Sequence, residues 1–350
     1  MTTAYLAMER GLLVARERDG RWTVERHLAG LQTTCLASDP GRPERIYCGT
    51  YGRGLWRSDD AGRSWVPIGD AGEAMEPWDG TGIAHPRVMA IAVSATERGE
   101  GYGVVSAGTE PGALFRSENG GDTWRELTGL HELPSAPTWR FPPRPHTNLV
   151  RWIAPDPLVP GRLFVAMEAG ALVQSADGGH TWRDRQPGGP FDSHTIGMHP
   201  QTPDRLFIAG GDGYCESPDG GATWQWPDEG LSYRYLWSLA LDPADPDTVL
   251  VTGAPDASHA HHLRGAARST LFRRVGGAPW EKVERGLPDE EGTVIPVVAS
   301  HATEPGTFYA LSNKGLFRSR DAGASWEDLD LPWAAAFADQ HQQALIIAPD

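Results

Sequence analysis

The 350-residue sequence predicts an all-β fold, a single seven-bladed β-propeller spanning residues 1–350, on three observations. An eight-residue signature recurs along the chain. Each copy sits in the same frame of short β-type runs, and the C-terminal residues supply a run that the first repeat lacks.

The signature reads SDDAGRSW at 58–65, SENGGDTW at 117–124, SADGGHTW at 175–182, SPDGGATW at 217–224 and SRDAGASW at 319–326. Two degenerate copies fill the gaps, RERDGRW at 16–22 and RRVGGAPW at 273–280. Their closing tryptophans, Trp22, Trp65, Trp124, Trp182, Trp224, Trp280 and Trp326, lie 42 to 59 residues apart, a propeller-like period. The chemistry of the signature is that of a turn. An aspartate accepts from amides of its own loop, glycine takes the left-handed conformation, and the hydroxyl adds a local bond. The tryptophan then begins a strand and packs its large face between neighbouring sheets.

Upstream of each copy stand two β-branched and aromatic runs, as in RIYCGTYGRGLWRS, and downstream one more, as in WRDRQ. A further apolar run precedes each pair and ends near a turn signal, as in VRWIAPDPLVPGR and WSLALDPADPDT, which makes four strands per repeat. The first repeat starts directly at its second strand, TAYLAME. The missing strand is QQALIIAPD at 342–350, which would complete the first sheet and close the ring.

Composition excludes several function classes. With 46 acidic against 31 basic residues the formal charge is -15, so nucleic acid and anionic membrane surfaces are repelled on average. No run approaches the ~20 apolar residues of a membrane span. The start carries no positive leader, and Glu9 and Arg10 interrupt its apolar run. Cys35, Cys48 and Cys215 form no disulfide framework and no metal-ligand spacing, so buried thiols in a reducing cytoplasm are expected.

The SxDxGxTW pattern resembles the Asp-box, or bacterial neuraminidase repeat, of sialidases, sortilin-type receptors, xyloglucan-cleaving hydrolases and photosystem assembly-factor propellers. The resemblance covers the chain and implies the fold. It implies no single activity, because those families do unrelated things on similar scaffolds. The sialidase arginine-proline motif is absent, no arginine triad carries over, and seven blades are counted where sialidases have six.

Antiparallel pairing puts all the signature turns at one end of the sheets. The irregular segments 66–87, 125–149 and 253–269 fall at the other end, where long loops on a rigid scaffold usually carry function. The inner turns there give a polar column of Glu9, Glu110, Glu168, Asp212, Asp256 and Asn313, with Tyr51 and Arg53 in the second blade and Tyr214 two residues beyond Asp212. Polar residues are also what hairpin turns prefer. At the starts of the first strands, Arg151, His194 and Trp237 fall in register, preceded by His85, Arg87, His146, Asn148, Tyr233, Arg234 and His341. Such a lining suits a small polar molecule or a sugar.

The expected function is therefore binding, with conversion as an extension, of a small polar ligand at the end opposite the signature turns. Glu110, Glu168, Asp212 and His194 are the candidate catalytic groups. His146, Arg151, Trp237, Trp139, Arg140, Tyr214 and Arg53 are the candidate binding groups. A glycoside hydrolase or lyase is one alternative, since carboxyls about 5 Å or about 6.5 to 9.5 Å apart cleave glycosides with retention or inversion. A protein-interaction platform is the other. A divalent metal on His259, His261 and His262 of the HAHH loop is a further expectation, set against the solvated histidines usual in such loops.

Overall fold

The computed structural model describes residues 2–69, 82–263 and 265–349; part of the segment 66–87 therefore lies outside the described residues. The fold is a seven-bladed β-propeller of antiparallel sheets, with two short α-helices among the described residues, Ala257–His261 and Ala335–Ala338. Contacts divide the chain into two compact units, residues 1–26 with 197–350, and residues 27–196.

In the first unit, strand Gln342–Pro349 pairs with Thr2–Met8, followed by Gly11–Arg18 and Arg21–His27. The register runs from Thr2 opposite Pro349 to Met8 opposite Gln342, so the C-terminal strand closes the ring as the sequence predicts. The same unit holds the sheets Tyr235–Leu241, Val249–Ala254, Thr270–Arg274, Glu281–Val283 and Val297–Ser300, Phe308–Ser312, Gly315–Ser319, Glu327–Asp328. The second unit holds Thr33–Asp39, Arg42–Thr50, Leu55–Ser58, Val66–Ile68 and Arg87–Gly99, Tyr102–Glu110, Leu114–Ser117, Arg125–Glu126.

Two sheets depart from the expected four strands. Val150–Pro155, Leu163–Met167, Ala171–Ser175 and Ser193–Met198, Leu206–Gly210, Gly213–Ser217 each have three. In each, the fourth strand is reduced to one bridge, Gln174 with Arg183 and Glu216 with Gln225. Both segments soon meet a proline, Pro187 and Pro227, which has no amide hydrogen to extend a ladder.

Burial falls from the middle strands outward. Leu163–Met167, Val249–Ala254 and Phe308–Ser312 are buried at every residue, which is why they read as continuous apolar runs, whereas Arg21–His27 alternates between exposed and half-buried. Apolar faces of adjacent sheets interdigitate. Leu6, Leu13 and Ile347 pack with Val297 and Leu311 in one unit, and Leu114, Val150, Val165 and Met167 pack together in the other. Each fully buried Leu or Ile contributes about 1.5 to 3 kcal/mol.

The signature turns are built alike. In 217–224, Ser217 Oγ accepts from the Gly221 amide at 2.7 Å, and Asp219 accepts from the Thr223 amide at 2.8 Å and the Thr223 hydroxyl at 2.7 Å. The pattern repeats at Asp60, Asp177 and Asp321, and Asn119 accepts from the Thr123 amide at 2.9 Å. The indoles of Trp124, Trp182 and Trp326 donate to the carbonyls of Gly121, Gly179 and Gly323. The serine and aspartate side chains of the turn are thus spent on the turn itself. All three cysteines are free and buried, with Cys35 opposite Gly49 rather than Cys48. No helix among the described residues is long and apolar enough to cross a membrane.

Candidate functional site

Within residues 27–196, four polar side chains, a guanidinium, two carboxyls and an imidazole, converge at the strand ends opposite the signature turns. Glu168 follows directly on strand Leu163–Met167, in the hairpin leading to Ala171–Ser175. That hairpin is tight: Ala169 adopts φ 43°, a left-handed conformation costing an L-residue about 1 to 2 kcal/mol. Its amide donates to Asp192 Oδ1 at 2.9 Å, and the Gly170 amide donates to the Phe191 carbonyl at 3.0 Å. The turn carrying Glu168 is thereby tied to the segment that carries Asp192 and His194. Arg151 is the second residue of strand Val150–Pro155, the neighbour of Leu163–Met167.

His194 Nε2 lies 3.6 Å from Glu168 Oε1 and 3.6 Å from Asp192 Oδ1, and Arg151 Nε lies 3.5 Å from Glu168 Oε2. These separations lie within the range of ion pairs. His194 is fully buried, Glu168 is buried, and the Asp192 side chain is 24% exposed, which gives the cluster its opening to solvent. Burial pushes the Glu168 carboxyl above the ordinary carboxylate range; His194 and Arg151 pull it back, and Asp192 pushes it further. Among the described residues, Glu168, Asp192 and His194 form the one group of His, Cys, Asp and Glu able to hold a metal ion, their ligand atoms all within 4.8 Å of one another.

Glu110 has a different role. It is fully buried, and Arg144 grips both its oxygens, Nε to Oε1 at 2.9 Å and Nη2 to Oε2 at 2.6 Å, with Arg87 at 3.3 Å. Such a fork occupies both carboxylate oxygens and fixes their orientation, the arrangement of a structural clamp. Arg144 belongs to the stretch TWRFPPRPHTN, folded on itself by Phe141–Thr147 and Arg144–Phe141 backbone bonds, and it lies over the rings of Phe141 and Tyr51.

The remaining sequence candidates separate. Trp139, expected to face a ligand, is buried in the apolar core, its indole donating to Ser135 Oγ at 2.9 Å and its ring against Gly170. It braces the hairpin of Glu168 instead. Arg140, His146 and Arg53 are exposed.

In the other unit, Tyr214 is buried and donates to Glu216 at 2.7 Å, while Asp212 lines an open cleft of about 150 Å³ with Trp226, Asp228, Tyr233 and Arg234. Trp237 stacks its edge on His261, with centroids 4.5 Å apart. The three HAHH histidines fan apart. His259 bonds Asp256 at 2.9 Å, His261 lies 2.7 Å from both Tyr235 and His341, and His262 is exposed. Among the described residues they form no group able to hold a metal ion, and His259 and His261, two apart on the short helix Ala257–His261, do not face each other.

Sequence reasoning missed Asp192 and Arg144. Asp192 had a usable signal: in FDSHT it stands two residues ahead of His194, and on extended chain that spacing puts both side chains on one face. Arg144 had none beyond being basic in a long loop.

No protein-family model and no curated protein sequence matches the chain. Its likeness is to solved structures. An ancestral GH74 enzyme is 16% identical with TM-score 0.61, over 90% of this chain and 38% of that one. A GH74 enzyme of Niastella koreensis is 16% identical with TM-score 0.62, over 84% of this chain and 46% of that one. YCF48 bound to a D1 peptide is 15% identical with TM-score 0.57, over 85% of this chain and 80% of that one. At these identities the likeness is one of fold, that of the seven-bladed β-propellers. The chain spans less than half the length of the two GH74 chains.

Proposed function

We propose that this protein binds a small polar ligand at the cluster of Arg151, Glu168, Asp192 and His194. The observation that carries the reading is the convergence of a guanidinium, two carboxyls and an imidazole at 3.5 to 3.6 Å, on strand ends held by sheet packing. Buried polar groups of both signs, positioned by a rigid scaffold and open to solvent on one side, supply the few orienting contacts by which such sites select ligands. A hydrolase or lyase acting on that ligand is the narrower form of this reading. Three free buried thiols fit a reducing compartment, the setting we propose for it.

Calorimetry with hydroxycarboxylates and neutral disaccharides tests the proposal. At least one class should bind, and Arg151→Met should weaken that binding by at least about tenfold, equal to about 1.4 kcal/mol. Binding unchanged in Arg151→Met, or none by either class at millimolar concentration, would refute it.

A second reading, a protein-interaction surface, rests on the cleft beside Asp212, where Trp226 is 41% exposed and lines the cleft with Asp228, Tyr233 and Arg234. Exposed aromatics rimmed by charge are typical interface anchors, and the YCF48 structure with its D1 peptide is support by analogy of fold. Loss of partner capture on Trp226→Ala, with Arg151→Met unaffected, would favour this reading.

A further inference from the structure

We propose that Glu168, Asp192 and His194 bind a divalent transition-metal ion of the zinc class, as a three-ligand site with its fourth position toward solvent. The donor set is one imidazole nitrogen with two carboxylate oxygens, a combination that suits zinc and its first-row neighbours rather than the all-oxygen shell of calcium. Around an ion with bonds of about 2.1 Å, tetrahedral ligand atoms stand about 3.4 Å apart. His194 Nε2 already stands 3.6 Å from each carboxylate, close to that spacing. All three ligand atoms lie within 4.8 Å of one another, and the adjustment that remains falls on Asp192, the most exposed of the three.

The surroundings are those of an oriented ligand set. Arg151 stands beside the other oxygen of Glu168, leaving Oε1 toward His194, and the Ala169 amide fixes Asp192 Oδ1. Outer contacts of this kind orient ligands before the ion arrives. Two carboxylates and one guanidinium leave the ionised cluster with one net negative charge, which a divalent cation offsets. The site differs from the HAHH loop, whose histidines form no such group among the described residues.

The inference rests on reading this cluster as a binding site, and it fails separately from that reading because the ligand panel is run on metal-free protein. The full chain is stripped with EDTA, exchanged into metal-free buffer, and titrated with ZnCl2 by calorimetry. A parallel titration with CoCl2 is followed by visible absorption. One equivalent of zinc should bind with a Kd of about 1 µM or tighter. Cobalt should give the intense visible bands of a four- or five-coordinate ion. Asp192→Asn, partly exposed and isosteric, should weaken zinc binding about tenfold or more at an unchanged urea midpoint, and His194→Gln should abolish the cobalt bands. His259→Ala with His262→Ala should change nothing. Absence of zinc binding by the wild type, equal binding by Asp192→Asn, or loss of binding in the His259/His262 variant would each overturn the inference.

Discussion

Deleting residues 342–350 removes the strand that completes the first sheet. The register from Thr2 opposite Pro349 to Met8 opposite Gln342 is lost, leaving strand Thr2–Met8 as an open edge. Net values of about 1 kcal/mol per ladder hydrogen bond, with about 2 to 3 kcal/mol for burial of Ile347, put the loss on the order of 10 kcal/mol. That equals the whole stability of an ordinary domain, about 5 to 15 kcal/mol. The truncated chain should therefore be unfolded or aggregated at 25 °C, by tryptophan fluorescence and size exclusion. A synthetic QQALIIAPD peptide added in trans should restore a folded species. If 1–350 behaves as one cooperative domain, the intact chain should show a single urea transition by every probe. A truncated chain with the wild-type urea midpoint would refute the reasoning, because it would mean that the closing strand contributes little.

Breaking the buried clamp with Glu110→Ala should cost about 3 kcal/mol, and a double-mutant cycle with Arg144→Ala should give a coupling of about 2 kcal/mol, lowered by the 35% exposure of the Arg144 side chain. Urea unfolding checks both values. Gly286 has φ 82°, and an added Cβ would stand 1.8 Å from the Trp326 carbonyl, so Gly286→Ala should lose more than about 3 kcal/mol. Gly188, at φ 77° with nothing within 4 Å, should lose only about 1 kcal/mol on the same change. The thiols of Cys35, pushed up to about 12 by burial, and Cys48, pushed well above its ordinary value, should not react with a disulfide reagent at pH 8 until denaturant is added. Bonds from the Thr181 hydroxyl and amide hold Asp177 down at about 2, below its unfolded value of about 3.9. Its contribution is therefore present above pH 4 and lost as pH falls through 2; Asp177→Asn, matching Asn119 in the equivalent turn, should flatten the fall of the urea midpoint between those values.

Much of the fold was legible because its determinants are local and repeated. SPDGGATW closes its own hydrogen bonds within seven residues, and QQALIIAPD resembles the first strands of other repeats closely enough to betray the gap it fills. The two three-stranded sheets were not legible, since WRDRQ and WQW read as strands until pairing is seen to stop short of Pro187 and Pro227. For the candidate site, register alone aligned Arg151 with His194 and placed Glu168 at the same strand ends. By itself, then, the sequence determined the repeat, the turn chemistry, the closing strand and the end of the sheets where Glu168 stands. Only the tertiary structure decided that Glu110 is a clamp held by Arg144, that Trp139 is core, and that Asp192 joins Glu168 and His194. The reason is distance along the chain: Arg144 reaches Glu110 across 34 residues and the Ala169 amide meets Asp192 across 23, and such meetings are set by the packing of whole sheets, which no local pattern encodes.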